Sequence, residues 1–192
     1  MMRFALLLLG AVLAGCASGP PPPDWKLAAS ASLRAFQQAY LRGETRLAEL
    51  EFRRAVDELR ATGRADLVAR AELIRCAARA ASLEFDECPG FEARRADAGK
   101  EEIAYAEYLA GRAERAASEE PFARLVAAGV RMRAGKLTPQ EISAAVETAS
   151  AQGWRRPLLA WLGVQEKRAE AAGDKEAVER IRRRIALVLG RD

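Results

Sequence analysis

Glycines close a series of helix-forming segments, and this punctuation constrains the fold more than any other feature of the sequence. Between them the chain is rich in alanine, arginine, glutamate and leucine and lacks runs of β-branched residues, so helix is the default conformation. In the third segment Leu67, Ala71 and Ile74 recur at steps of four and three, which places them on one helical face. The closing glycines are Gly43, Gly63, Gly135, Gly153 and Gly173.

Residues typical of helix N-termini precede several of these segments. Asp24 can cap the first helix, and "TPQE" at 138–141 is a capping box with proline at the first helical position. Pro157 and Asp174 open the last two segments. The predicted helices span 25–42, 45–62, 67–81, 98–117, 118–135, 138–153, 157–173 and 174–189. About eight helices joined mostly by tight turns predict an all-α fold of antiparallel pairs stacked in order.

One predicted pair carries a repeat pattern, in "AYLRGETRLAELEFRRAV" at 39–56. Its packing residues are Tyr40, Gly43, Ala48, Phe52 and Ala55. This spacing resembles a tetratricopeptide repeat, in which small residues let two helices approach closely and an aromatic fills the gap before the next pair. The segments around Gly111 and Gly173 echo it more loosely. The resemblance implies stacked antiparallel helix hairpins, a tetratricopeptide-like α-solenoid.

The N-terminus carries an apolar run from Phe4 to Ala14 behind the basic residue Arg3. The run is too short to cross a bilayer as a helix, which takes about 20 apolar residues. Its length, its basic start and its small-residue exit are typical of a secretory signal. The alternative, a buried N-terminal helix, fits less well because the run has no polar face.

The residues Leu13-Ala14-Gly15-Cys16 resemble the lipobox of bacterial lipoproteins. The resemblance implies cleavage before Cys16, diacylglycerol on its thiol and an acyl chain on its freed amine. Several acyl chains anchor a protein firmly in a bilayer. Residues 1–15 are then a signal peptide that is removed, 16–24 are the lipidated cysteine and a proline-rich tether, and 25–192 are the folded domain. The residue after Cys16 is Ala17 and not the aspartate that resembles an inner-membrane retention signal, so the resemblance favours the outer membrane.

Two further cysteines, Cys76 and Cys88, stand 12 positions apart. In an exported protein such a pair predicts a structural disulfide, with Cα atoms about 4.4–6.8 Å apart. The alternative is a redox pair or a pair of metal ligands. Neither a Cys-x-x-Cys spacing nor a histidine is available to complete such a site.

The composition narrows the possible chemistry. The sequence has no histidine, which removes the commonest general base, the usual catalytic triads and most zinc sites. The net charge of +4 is nearly balanced and makes no case for nucleic acid. The carboxylate pairs at 101–102 and 119–120 are acid–base candidates, yet adjacent helical residues point in different directions, which favours a solvated surface. We therefore expect no catalytic residue, metal, cofactor or small-molecule substrate.

Arginines and tryptophans near the C-terminus are candidate partner-binding residues. The arginines would contact lipid phosphates, lipopolysaccharide or an acidic partner, or else form a plain solvated face. The tryptophans would anchor a peptide or, as is commoner, fill the core, with the turn residue Trp154 the exception. The candidates are Trp154, Arg155, Arg156, Arg180, Arg183 and Arg184.

The whole chain resembles small proteobacterial outer-membrane lipoproteins, a resemblance that implies no particular activity. Together these features predict a periplasm-facing, non-enzymatic adaptor that is anchored through Cys16 and binds another envelope protein. The alternatives are an enzyme that acts on peptidoglycan, or a subunit or regulator of one, and a purely structural spacer. A desolvated glutamate deep in a cleft would favour catalysis, whereas an apolar or charged groove without one would favour binding.

Overall fold

The computed structural model describes residues 21–191, and within this range all regular secondary structure is helical, without strands. The predicted all-α class is confirmed. Cys16, the residues that resemble a lipobox and the predicted signal peptide at 1–15 lie outside the described residues. The elements are α1 (Asp24–Arg42), α2 (Thr45–Arg60), α3 (Ala65–Ala81), α4 (Pro89–Glu92), a 3₁₀ turn (Arg95–Asp97), α5 (Lys100–Leu109), α6 (Pro121–Arg133), α7 (Pro139–Ala151), α8 (Arg155–Ala171) and α9 (Lys175–Leu189).

Three local expectations differ from the structure. Between residues 82 and 97, where no helix is predicted, the chain forms one helical turn, α4, which begins at Pro89. The helix predicted over 98–117 covers only α5, because the chain turns at Gly111, where φ is 76°. Helix α8 begins two residues before Pro157, with Trp154 at the N-cap position. Proline in the first turn of a helix lacks only an amide hydrogen that would have no intrahelical partner there.

The α1–α2 hairpin contains the residues of the repeat pattern. Gly43 ends α1 in the left-handed region, with φ 84°, and its amide donates to the Tyr40 carbonyl at 3.0 Å. Ala48 and Ala55 are buried between the helices, where their small side chains permit close packing. The ring of Phe52 is buried against Phe36, with 5.1 Å between ring centroids.

Helix α3 lies at the centre of the domain and separates two hydrophobic cores. One core unites one face of α3 with α6, α7 and α8, and the other unites its opposite face with α1 and α2. Ala77 and Ala81 contribute to the first core, whereas Ala71 and Ala78 contribute to the second. Because these side chains are small, neighbouring helices approach α3 closely on both sides.

The packing order follows consecutive pairs over much of the chain, as stacked hairpins require: α1 packs on α2, α6 on α7, α7 on α8 and α8 on α9. However, α1 also contacts α8, an approach that a straight stack of pairs would not produce. Between α3 and α6 the chain inserts α4, the 3₁₀ turn and α5. The solenoid arrangement therefore stays a prediction, while the helical class is established.

Arg156 joins the start of α8 to the turn between α1 and α2. Its guanidinium lies 4.2 Å from the centroid of the Tyr40 ring and donates to the Tyr40 carbonyl at 2.9 Å. It also donates to Thr45 Oγ1 at 2.7 Å and to Glu84 Oε1 at 3.0 Å. Burial raises the pKa of the Tyr40 hydroxyl above its ordinary value. These contacts fix the approach of α8 to α1.

The predicted disulfide is confirmed. Cys76 in α3 and Cys88, directly before α4, are bonded with their Cα atoms 5.8 Å apart. Cys88 has a φ of 53°, in the left-handed region, where non-glycine residues are uncommon. Next to it Gly90 lies against the Glu72 carboxylate, at a place where any Cβ would collide with that carboxylate. The bond thus holds α4 closely against α3.

Removing this disulfide is expected to lower the free energy of unfolding by about 3 kcal/mol, because a closed loop of this length restricts the unfolded chain. The test is urea denaturation of the Cys76→Ser/Cys88→Ser variant beside the oxidised wild type. Dithiothreitol should destabilise the wild type by a similar amount and leave the double variant unchanged. Equal stability of the oxidised wild type and the variant would contradict the prediction.

Candidate functional site

An open groove of about 600 Å³ lies between α7 and α9, with the C-terminal half of α8 as its floor. Its volume falls within the range typical of ligand-binding clefts. Short turns join the three helices, so α7 and α9 run parallel to each other and antiparallel to α8. The lining residues are Pro139, Ile142, Ser143, Leu162, Gln165, Arg168, Ala169, Asp174, Ala177, Arg180, Ile181 and Arg184.

The groove exists because α9 is packed on one side only. Val178 is the one buried residue of α9, while Ile181 and Ile185 are half-buried against the main core. On the floor and on the facing wall, Ala169 and Ala177 carry side chains too small to close the gap. The amphipathic pattern of α9 seats it on α8 and leaves its flank open toward α7.

The base of the groove is apolar, with one polar pair across it. Ile142 and Leu162 are buried core residues whose side chains reach the groove. Gln165 on α8 donates to Ser143 Oγ on α7 at 3.4 Å, a long hydrogen bond. A ligand there would meet hydrocarbon below it and an amide and a hydroxyl at one wall.

The charged groups of the groove are mainly cationic. Asp174 is the only carboxylate among the lining residues, and its side chain caps α9 by accepting the Ala177 amide at 2.9 Å. Arg180 is paired with Glu176 at 2.6 Å. Arg168 and Arg184 have no carboxylate within ion-pair distance in the part of the chain that the structure describes. Two uncompensated guanidinium groups therefore border an apolar base.

The C-terminal arginine candidates divide between two surfaces. Arg180 and Arg184 line the groove, whereas Arg183 is exposed outside it. Arg168 was missed by the sequence reasoning, since a basic residue near a helix C-terminus is commonly a complement to the helix dipole. A usable signal was present: Leu162, Gln165 and Arg168 follow at steps of three and so share one face of α8.

The candidates at the start of α8 lie away from the groove, because α8 is about 25 Å long and they occupy its other end. Trp154 is half-buried and meets Phe122 edge-to-face, with 6.4 Å between ring centroids. Arg156 is engaged in the internal contacts with α1 and α2. Arg155 is exposed. The structure therefore does not join these three residues with the α9 arginines in one surface.

The carboxylates that are removed from solvent have arginine partners. Glu51 pairs with Arg54 at 2.7 Å, and Glu72 pairs with Arg75 at 2.6 Å, each three residues along its own helix. Neither glutamate lines the groove. Both of these buried carboxylates are therefore engaged in ion pairs within their own helices.

The carboxylate pairs singled out in the sequence occupy surface positions. Arg70 donates to Glu102 and holds the pKa of its carboxyl below its usual value. Glu120 is the N-cap of α6, where it accepts the amides of Phe122 and Ala123 at 3.0 and 2.7 Å. Glu101 and Glu119 are exposed. Glu102 is therefore an ion-pair partner and Glu120 a helix cap, whereas the other two carboxylates are solvated.

Three other cavities are smaller than the groove between α7 and α9. A space of about 30 Å³ beside the disulfide holds about one water molecule. A groove of about 400 Å³ follows the chain after α5, and there Arg112 donates to Glu107. Arg112 and Arg95 together lower the pKa of the Glu107 carboxyl to about 2. In the groove between α6 and α7, Arg131 is likewise paired, with Glu141 at 2.6 Å.

Within residues 21–191, no three histidine, cysteine or acidic side chains are grouped so as to hold a metal ion. Over the same range, no helix has the length and apolar character needed to traverse a bilayer. Comparison with known proteins found no match among protein families, curated proteins or solved structures.

Proposed function

We propose that this protein is a lipid-anchored, non-enzymatic adaptor on the periplasmic side of the outer membrane, which binds another envelope protein. The observation that carries the binding role is the groove between α7 and α9, with its apolar base and the unpaired Arg168 and Arg184. Apolar surface bordered by charged residues is typical of recognition sites.

The arrangement of carboxylates supports binding over catalysis. Hydrolysis of peptidoglycan with a lone glutamate requires a general acid whose pKa is raised by desolvation in a cleft. No glutamate lines the groove, and its one carboxylate, Asp174, accepts the Ala177 amide as the cap of α9. The other polar side chains of the lining are arginines, an amide and a hydroxyl, which are suited to holding a ligand.

The anchor rests on Leu13-Ala14-Gly15-Cys16 and on the distance from Cys16 to the fold. Helix α1 begins at Asp24, so the tether spans eight residues, half of them prolines. An extended tether of this length reaches about 25 Å. That reach holds the domain close to the lipid surface while leaving it free to meet a partner.

The anchor is tested by growing cells with an alkyne-labelled palmitate and isolating the protein. We expect label on the wild type, membrane fractionation and a mature N-terminus at Cys16. The Cys16→Ala variant should carry no label and retain its leader. An unlabelled wild-type protein with an intact Met1 would contradict the proposed location.

The adaptor role is tested in living cells with a photo-crosslinking amino acid placed at Ser143, which is exposed on the groove wall. The matched control places it at Arg53, exposed on α2 and distant from the groove. We expect a discrete protein adduct from the first position only. Adducts with glycan strands would favour the peptidoglycan role, and no adduct from either position would favour a structural spacer.

A further inference from the structure

We infer that the groove between α7 and α9 recognises an acidic peptide segment in which carboxylates flank an apolar side chain. This inference rests on the proposed binding role and adds the chemistry of the partner. Three observations carry it: the charge of the two unpaired arginines, the apolar base between them and the shape of the cleft.

The first observation concerns charge. Arg168 on α8 and Arg184 on α9 border the same groove and have no carboxylate partner among the described residues. Their neighbour Arg182, by contrast, binds both Glu166 and Glu170 at 2.6 Å. Two carboxylates thus pair with Arg182, while none pairs with Arg168 or Arg184 among the described residues. A guanidinium fork matches a carboxylate in a bidentate pair, so a partner's carboxylates would complete the site.

The second observation concerns the surface between the charges. The half-buried Ile181 and the small Ala169 present hydrocarbon at the bottom of the groove, above the fully buried Leu162. Burial of one leucine-sized side chain there would contribute favourably to binding and would fix its register. A ligand with charge alone, such as a free phosphate, would leave this surface uncovered.

The third observation is the shape. Two parallel helices with a third as floor form an elongated cleft, which accommodates an extended or helical segment better than a compact headgroup. The Gln165 amide and the Ser143 hydroxyl are joined only by a hydrogen bond of 3.4 Å, so both are available to a peptide backbone. Charge, apolar base and shape together favour a peptide over a lipid phosphate.

The test uses the intact chain purified from membranes in a nonionic detergent and a fluorescein-labelled peptide of alternating glutamate and leucine. Fluorescence polarisation should show binding that weakens as salt is raised. Arg168→Ala/Arg184→Ala should weaken binding about tenfold or more, since both charge pairs are lost. Arg34→Ala/Arg53→Ala removes the same charge from exposed positions outside the groove and should change the dissociation constant less than about twofold.

Several results would overturn the inference. These are no polarisation change with the peptide, equal binding of its glutamine–leucine counterpart, or equal weakening by both double variants. Displacement by inorganic phosphate, or equally arginine-dependent binding to phosphatidylglycerol vesicles, would assign the groove to a phosphate group instead. Circular dichroism and melting curves of each variant establish that it is folded.

The adaptor role and the acidic-peptide specificity of the groove can be contradicted independently of each other. A groove-specific adduct from Ser143 without acidic-peptide binding would leave the adaptor role standing and remove its acidic specificity. Arginine-dependent peptide binding without any adduct in cells would leave the chemistry of the groove standing and remove the adaptor role.

Discussion

Replacing Gly129 with alanine is expected to destabilise the protein by about 3 kcal/mol, although alanine is the better helix former. Gly129 is buried in α6 where that helix crosses the end of α3. A Cβ at this position would overlap the carbonyl oxygen of Ala80 and lie 2.8 Å from its carbonyl carbon. Because the obstructing atoms are backbone, no rotamer change can relieve the overlap, and α6 must move away from α3.

The same substitution at Gly163 is the matched control. Gly163 lies inside α8, and a Cβ added there would meet no atom of a neighbouring element within 4 Å, so alanine fits without a clash. Gly163→Ala is expected to stabilise the protein by about 0.5–1 kcal/mol through the lost backbone freedom of the unfolded chain. Urea denaturation followed by circular dichroism measures both variants. A similar change in both would contradict the close approach of α6 to α3.

Local signals made most of the helices predictable. At the start of α7, Thr138 Oγ1 accepts the Glu141 amide at 3.3 Å, and Glu141 accepts the Thr138 amide at 2.8 Å, so the capping box forms as its sequence indicates. Such signals act over a few residues and need no knowledge of the fold. The same applies to Gly43, whose left-handed conformation ends α1.

Local signals failed where contacts beyond the helical turn decide the conformation. The residues after Leu109 are helix-forming by composition, but Arg112 turns back to Glu107 and Arg115 lies over the Tyr105 ring at 5.0 Å. These contacts hold the segment against α5 in a non-helical path. Intrinsic helix propensity amounts to a fraction of a kcal/mol per residue, so these contacts together with the left-handed turn at Gly111 end the helix.

The candidate site was only partly predictable for a similar reason. The position of Arg180 and Arg184 away from the buried stripe of α9 follows from helical periodicity. Whether an arginine is free or paired depends on neighbouring helices: Arg156 is joined to a carbonyl 116 residues away, while Arg168 has no carboxylate partner among the described residues. The disulfide was predictable because the expected lipidation of Cys16 leaves Cys76 and Cys88 as the only remaining cysteines of the sequence, which allow one intramolecular pair.

Helices α6 and α8 both contact the C-terminal end of α3, and Trp161 makes the contact from α8. Trp161 is completely buried in α8, and its indole Nε1 donates to the Ala81 carbonyl at 3.1 Å. That carbonyl belongs to the last residue of α3, where a helix leaves its carbonyls without an internal partner. Trp161 therefore fills the main core and also satisfies the end of the central helix.

Trp161→Ala is expected to lower the free energy of unfolding by about 3–5 kcal/mol, because it leaves a large cavity and an unpaired buried carbonyl. Trp161→Phe, which keeps most of the apolar volume, should cost about 1–3 kcal/mol for the lost hydrogen bond. The control is Trp25→Ala, since Trp25 is only half-buried at the start of α1 and should lose less than Trp161→Ala. Urea denaturation followed by circular dichroism compares the three variants. Equal losses of unfolding free energy in Trp161→Ala and Trp25→Ala would contradict this packing. The loss at Trp161 should be larger because Trp161 is completely buried between α8 and the end of α3.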